Sequence, residues 1–172
     1  MICIRQAVAA DDHAIIDVVE RAFQNVCCSS RHLPFEVSDD SDFFIPELSL
    51  VAEIDDHKIV GYIYLMEISI DCTFPSLGLA RIAVAPEYQG LGIGSMMIEK
   101  AHQIAKELGY VSVISLGGKQ FLSKFGYRTL VNFGIHYGVF DNQCLAVELY
   151  PGAIAYVHGK VGLPLDYLQE IF

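Results

Sequence analysis

Apolar and polar positions change period along this chain, and each change marks an element. Over residues 2–8 apolar residues alternate as in a half-buried strand. The period then lengthens: Ile15, Val18, Val19, Ala22 and Phe23 recur at helical spacing, with Asp11 or Asp12 placed to cap the helix start. Residues 27–47 have no clean period and carry Pro34, Pro46 and the acidic run Glu36, Asp39, Asp40 and Asp42, which reads as a short helix and a loop. Strands are predicted at 48–54 and 58–70, joined as a hairpin by Asp55-Asp56-His57. Another follows at 77–85 and ends at Pro86, which has no N–H to continue it. The spacing predicts a helix over 93–108, with Ile93, Met96, Met97, Ile104, Ala105 and Leu108 on its core face and Glu99, Gln103, Lys106 and Glu107 opposite. Gly109 suits the position after its C-terminus.

A β-branched run at 110–116 reads as a strand beside 77–85. Gly117-Gly118 opens a short helix at 119–125, and late strands are expected at 135–140 and 144–149 around Asp141-Asn142. Residues 150–172 read as a C-terminal extension packed on the domain. The whole is an α/β (mixed α+β) single domain over 1–172, a central sheet with helices on both faces.

Composition narrows the function classes. The chain has 172 residues, enough for one domain with a substantial core. Although 53% of residues are hydrophobic, no apolar run reaches membrane-spanning length, and 59–70 is broken by Glu67. A net charge of −10 argues against nucleic acid and against anionic membrane surfaces. The five cysteines are odd in number, include the adjacent pair Cys27-Cys28 and form no Cys-x-x-Cys, so neither a disulfide framework nor a zinc site is expected. No His/Asp/Glu pair has ligand spacing, and no metal is expected. The opening residues 1–5 lack the basic start and long apolar core of a signal peptide, and a cytoplasmic location is expected.

The stretch with most chemistry is Pro86-Glu87-Tyr88-Gln89-Gly90-Leu91-Gly92-Ile93-Gly94, between a predicted strand and a predicted helix. Glycines at 90, 92 and 94 clear side chains from one rim, and the first N–H groups of the helix lack intrahelical partners. With the helix dipole, this makes an anion site suited to phosphate. A Walker loop is excluded, because Ser95-Met96 follows where Lys and Ser/Thr are needed. The dinucleotide fingerprint fits loosely through Gly90, Gly92 and Ser95, but four residues separate strand from glycine and no second βαβ unit follows, which leaves a nucleotide-binding oxidoreductase as a marginal alternative.

Val84-Ala85-Pro86 followed by Gln89-Gly90-Leu91-Gly92-Ile93-Gly94 resembles the GNAT superfamily of N-acetyltransferases, whose pyrophosphate loop reads Gln/Arg-x-x-Gly-x-Gly/Ala after a strand ending in Val-x-Pro. Lys124-Phe125-Gly126-Tyr127 resembles the family's later Lys-x-Gly-Phe element, and the likeness runs from the first strand to about Leu149. The resemblance implies a mostly antiparallel central sheet in which two parallel strands splay apart. It implies acetyl-CoA as co-substrate, with pyrophosphate on the main chain of Gln89, Gly90, Leu91, Gly92, Ile93, Gly94 and Ser95, and the pantetheine arm along Ile82, Ala83 and Val84. The N–H of Ile82 would receive the thioester oxygen as it gains charge.

Where many relatives carry an acid Tyr, four residues before the glycine of the later element, this chain has Leu122. Where some carry a base Glu, it has Gly78. Glu67 is the best acidic candidate for a base, and Ser123 for orienting a water or meeting the thiolate; Tyr88 and Tyr127 are further possible acids. The resemblance implies a small-molecule or protein amine as acceptor, and the acidic run from Glu36 to Glu47 reads either as a solvated loop or as an attractor of a cationic amine. The absent tyrosine keeps a non-catalytic acetyl-CoA sensor open beside the enzyme. A monomer or homodimer fits either.

Overall fold

The computed structural model describes residues 2–24, 44–71 and 74–162. The chain runs β1 (Cys3–Gln6), α1 (Asp12–Ala22), β2 (Ser49–Ile54), β3 (Lys58–Ile70), β4 (Phe74–Val84), α2 (Ile93–Glu107), β5 (Ser112–Leu116), α3 (Lys119–Leu122), β6 (Arg128–Thr129), β7 (Ile135–His136), β8 (Cys144–Glu148) and β9 (Gly159–Gly162). The sheet order is β1-β2-β3-β4-β5-β8-β6, with β9 joining β3 and β7. All neighbours along this order are antiparallel except β4 and β5.

Alternation along β3 divides the core in two. Tyr62, Tyr64, Met66, Ile68 and Ile70 face the side covered by Ile15, Val18 and Val19 of α1. Ile63 and Leu65 face the side covered by Ile93, Met97, Ile98, Ala101 and Ala105 of α2. Each face is a period-2 strand pattern meeting a helical stripe, so the sheet has a helix on either side. Asp11 precedes α1 without capping it by side chain. Its carboxylate instead takes the Arg5 guanidinium at 2.7 Å and the Val8 N–H at 3.0 Å, tying the helix entrance to β1.

Two expectations are corrected and one short strand is added. The buried stripe of α2 includes Ile98 and Ala101, whereas Met96 and Leu108 are exposed: Met96 lies on the flank of the helix and Leu108 beyond its last turn. The strand expected over 135–140 stops at His136, because Gly138 turns with φ 60° and the Asp141 carboxylate takes the Tyr137 N–H and the His136 ring. β7 therefore pairs with β9, and β8 pairs with β5 and β6. The added strand, β6, was not foreseen. In the C-terminal segment, Ile154 is fully buried and β9 pairs with Ser69 and Ile70 of β3. The expected second helix over 27–47 falls mostly outside the described residues, as does the acidic run from Glu36 to Asp42.

Candidate functional site

Two features of β4 create the site. β4 pairs with β5 only at Leu77–Val113 and Gly78–Ile114, although β4 continues to Val84 and β5 to Leu116. Beyond Gly78 the strands separate, leaving a fork. On its other edge β4 pairs with β3 throughout, but the register slips: Leu65 meets Leu79 and Tyr64 meets Arg81, so Ala80 is an extra, bulged residue.

The ladder then fixes where each amide points. The Ala85 N–H donates to the Val60 carbonyl at 2.9 Å, which makes Val60–Ala85 a hydrogen-bonded pair. Bonded and non-bonded pairs alternate in antiparallel sheets. Tyr62–Ala83 is thus bonded, while Ile63–Ile82 and Gly61–Val84 are not. The main-chain N–H and C=O of Ile82 and Val84 consequently face away from β3, into the fork. Ala83 turns its own toward β3. The Val84 carbonyl is taken by the Gln89 side-chain amide at 2.9 Å, which anchors the start of the glycine loop to the strand.

In the loop, Gly90 and Gly92 have φ of 77° and 85°, the left-handed region that side chains disfavour. Gly92 is the N-cap of α2 and makes no side-chain cap bond. The first intrahelical bond there is from the Met96 N–H to the Gly92 carbonyl, 3.1 Å, so the N–H groups of Ile93, Gly94 and Ser95 have no acceptor within the helix. Gly94 serves packing: a Cβ there would come within 3.2 Å of the Phe121 ring. Leu91 points to solvent, 65% exposed.

A cavity of about 440 Å³ lies over this turn, lined by Gln89, Gly90, Gly92, Ile93, Gly94 and Ser95 together with Lys124. Lys124 donates to the Ser95 hydroxyl at 3.0 Å, stacked over Phe121 with its ammonium 4.3 Å from the ring centroid. It adds a full positive charge to the amides and the dipole. A second cavity, about 230 Å³, occupies the fork between Leu79–Ile82 and Ser115–Gly118 and reaches Phe23 just after α1. Ile82 and Phe121 line both cavities. The cavity over the α2 N-terminus thus borders a slot with a main-chain donor on its wall.

The other candidates lie elsewhere. Glu67 pairs with Leu77 at the closed end of the fork, five strand residues and roughly 16 Å from Ile82, and its carboxylate accepts the Tyr110 hydroxyl at 2.5 Å. It lines neither cavity. Ser123 is exposed and donates back to the Lys119 carbonyl at 2.6 Å, the usual behaviour of a helix-surface serine. Tyr127 is buried against α2, bonded to His102 at 3.0 Å, and burial pushes its pKa far above the usual range. Tyr88 lines the loop cavity, with its hydroxyl accepting from Lys58 at 3.2 Å. Leu122 is buried and lines the fork where relatives are expected to carry a tyrosine. Among the described residues lining the two cavities there is no Asp, Glu or His.

Sequence reasoning missed Lys124 as a loop cation, Arg81 and Ser115 on the fork walls, and the Gln89 clamp. Only Arg81 carried a readable signal, a charge inside an apolar strand.

A family description, acetyltransferase (GNAT) domain, matches residues 43–129, half of the chain, and the chain belongs to this family. The uncharacterized N-acetyltransferase YhbS of Escherichia coli K12 is 28% identical over 82 residues, 47% of this chain and 49% of the relative. The chain thus spans about half the length of the curated relatives it matches. Among solved structures, the Escherichia coli GNAT family N-acetyltransferase YhbS in complex with CoA superposes with a TM-score of 0.85 at 22% identity, over 98% of this chain and 92% of that one. A GNAT family acetyltransferase from Brucella melitensis in complex with acetyl-CoA gives 0.72 at 21% identity, over 97% and 98%. The expected mixed fold with a forked sheet is therefore the fold observed. No helix among the described residues is long and apolar enough to cross a membrane.

Proposed function

We propose that this chain is an acetyl-CoA-dependent N-acetyltransferase acting on an amine that its sequence does not identify. The observation that carries the reading is that the cavity at the α2 N-terminus adjoins the forked slot, the two sharing the walls Ile82 and Phe121. Two relatives of the same fold are described as complexes with CoA and acetyl-CoA, which supports the same ligand here. The pyrophosphate would lie on the amides of Ile93, Gly94 and Ser95 beside Lys124. The pantetheine amides would pair along the open edge of β4, using Ile82 and the Val84 N–H.

A neutral amine attacks the thioester carbon, and the carbonyl oxygen gains charge against the Ile82 N–H. The C–S bond then breaks and the thiolate leaves. With no Asp, Glu or His on the described cavity walls, the amine's proton passes to solvent. A thiol of pKa about 8.5 leaves acceptably near neutral pH without a dedicated acid. The same bare walls, with Leu122 in place of an acid, favour a second reading, an acetyl-CoA-binding sensor without turnover.

The test is release of free CoA thiol, followed across a panel of small amines and peptides. Amine-dependent steady release supports the enzyme. Saturable acetyl-CoA binding with no release over a broad panel assigns the chain to the sensor reading. Leu122→Ala discriminates further. Truncating this buried side chain is expected to lower stability by about 2–5 kcal/mol, visible as a lower melting temperature. Turnover measured well below that temperature stays within a few-fold, because leucine moves no proton. A loss of orders of magnitude in the folded variant would give position 122 a direct role.

A further inference from the structure

We infer that the acyl slot accepts neutral acyl groups longer than acetyl, propionyl and butyryl above all, an inference that rests on the acyl-CoA reading above. At the closed end of the fork lies a third cavity of about 40 Å³, walled by Met66, Ala80, Ile114, Leu116, Tyr137 and Cys144. It borders the slot: Leu79, Ala80 and Leu116 line both.

Direction along β4 connects it to the chemistry. A thioester oxygen on the Ile82 N–H, with the pantetheine arm running back toward Gln89, aims the acyl chain the other way, toward the bulged Ala80. Two strand residues span roughly 7 Å. A three- or four-carbon chain advances further along that span than an acetyl methyl does. On a scale where one water needs roughly 10–15 Å³, the cavity of about 40 Å³ has room for two or three more carbon atoms and no more.

The walls select against charge. They are aliphatic apart from Tyr137 and Cys144, and burial raises the Cys144 thiol to about 11, so it remains protonated and neutral. Arg81 lines the fork cavity and not this one. Succinyl or malonyl chains would therefore bury a carboxylate without a partner here. The transfer is otherwise the one already described: the amine nitrogen bonds to the acyl carbon, the C–S bond breaks, sulfur keeps the electron pair, and the nitrogen's proton passes to solvent.

The test is a series of dissociation constants by calorimetry for CoA, acetyl-, propionyl-, butyryl-, octanoyl- and succinyl-CoA on the full chain. Each methylene buried in an apolar site tightens binding by roughly fourfold. Propionyl- and butyryl-CoA are expected to bind roughly 4-fold and 15-fold tighter than acetyl-CoA, with octanoyl- and succinyl-CoA weaker than butyryl-CoA. Cys144→Leu fills the cavity and should erase the butyryl advantage; Cys144→Met does the same should the leucine variant fail to fold. CoA binding with constants that rise from acetyl to butyryl, or an advantage that survives filling in a folded variant, overturns the inference and leaves the acyl-CoA reading in place. Absence of binding by CoA itself overturns both.

Discussion

Gly92→Asp is expected to weaken acetyl-CoA binding at least a hundredfold while the protein still folds. Position 92 is the N-cap of α2, with φ 85° and open space where a Cβ would stand. Aspartate is among the few side chains that tolerate left-handed backbone. Its carboxylate would crowd the amides that the pyrophosphate needs. Its charge would also face the ligand: at 4 Å and an effective dielectric near 20, a pair of like charges costs about 4 kcal/mol, close to a thousandfold in affinity. Calorimetric titration with acetyl-CoA, beside a melting curve, checks this. Gly92→Ala separates the causes, since it carries the backbone strain without the charge and should lose far less affinity. A folded Gly92→Asp protein with unchanged affinity would remove the glycine turn from the ligand site.

Ile82→Pro should lower kcat by about 100- to 1,000-fold, the usual effect of losing one oxyanion donor. The substitution is selective here because the Ile82 N–H points into the fork, where it holds no ladder bond to β3. Proline in mid-strand ordinarily breaks a ladder bond; at Ala83 it would, at Ile82 it does not. The ring also thickens the slot wall, so KM for acetyl-CoA is expected to rise together with the fall in kcat. Ile82→Val, which keeps the donor, should stay within a few-fold on both. Single-turnover measurements at saturating acetyl-CoA give the comparison. A proline variant with native kcat would mean that the thioester oxygen lies elsewhere.

These two residues stand at opposite ends of what the sequence made legible. The turn could be read because glycines at 90, 92 and 94 and the proline before them are local signals whose meaning needs no tertiary context. The hairpin of β2 and β3 and the two long helices were legible for the same reason: their periods persist over several turns or strand residues. Ile82 could be proposed only by resemblance. Which way its amide faces depends on the register of β3 against β4 and on the bulge at Ala80, and a register has no signature in one strand alone. Glu67 misled for a related reason. An acid inside an apolar strand invites a catalytic reading, yet pairing with Leu77 puts it at the wrong end of the fork, where the Tyr110 hydroxyl engages it. Ser123 and Ser115 reverse the same error, one chosen for its place in the helix motif, the other overlooked within a short apolar run.

The fork carries a mechanical consequence. β1 to β4 form one continuous ribbon and β5, β8 and β6 another, and along the sheet path their ladder joins at Leu77–Val113 and Gly78–Ile114, beside the buried Ser76–Ser112 hydroxyl bond of 2.7 Å. An extended ligand that bonds to the open edge of β4 while resting against β5 would complete the missing seam. Its affinity would then carry a share of the coupling between the two half-sheets, whose ladder stops at Gly78.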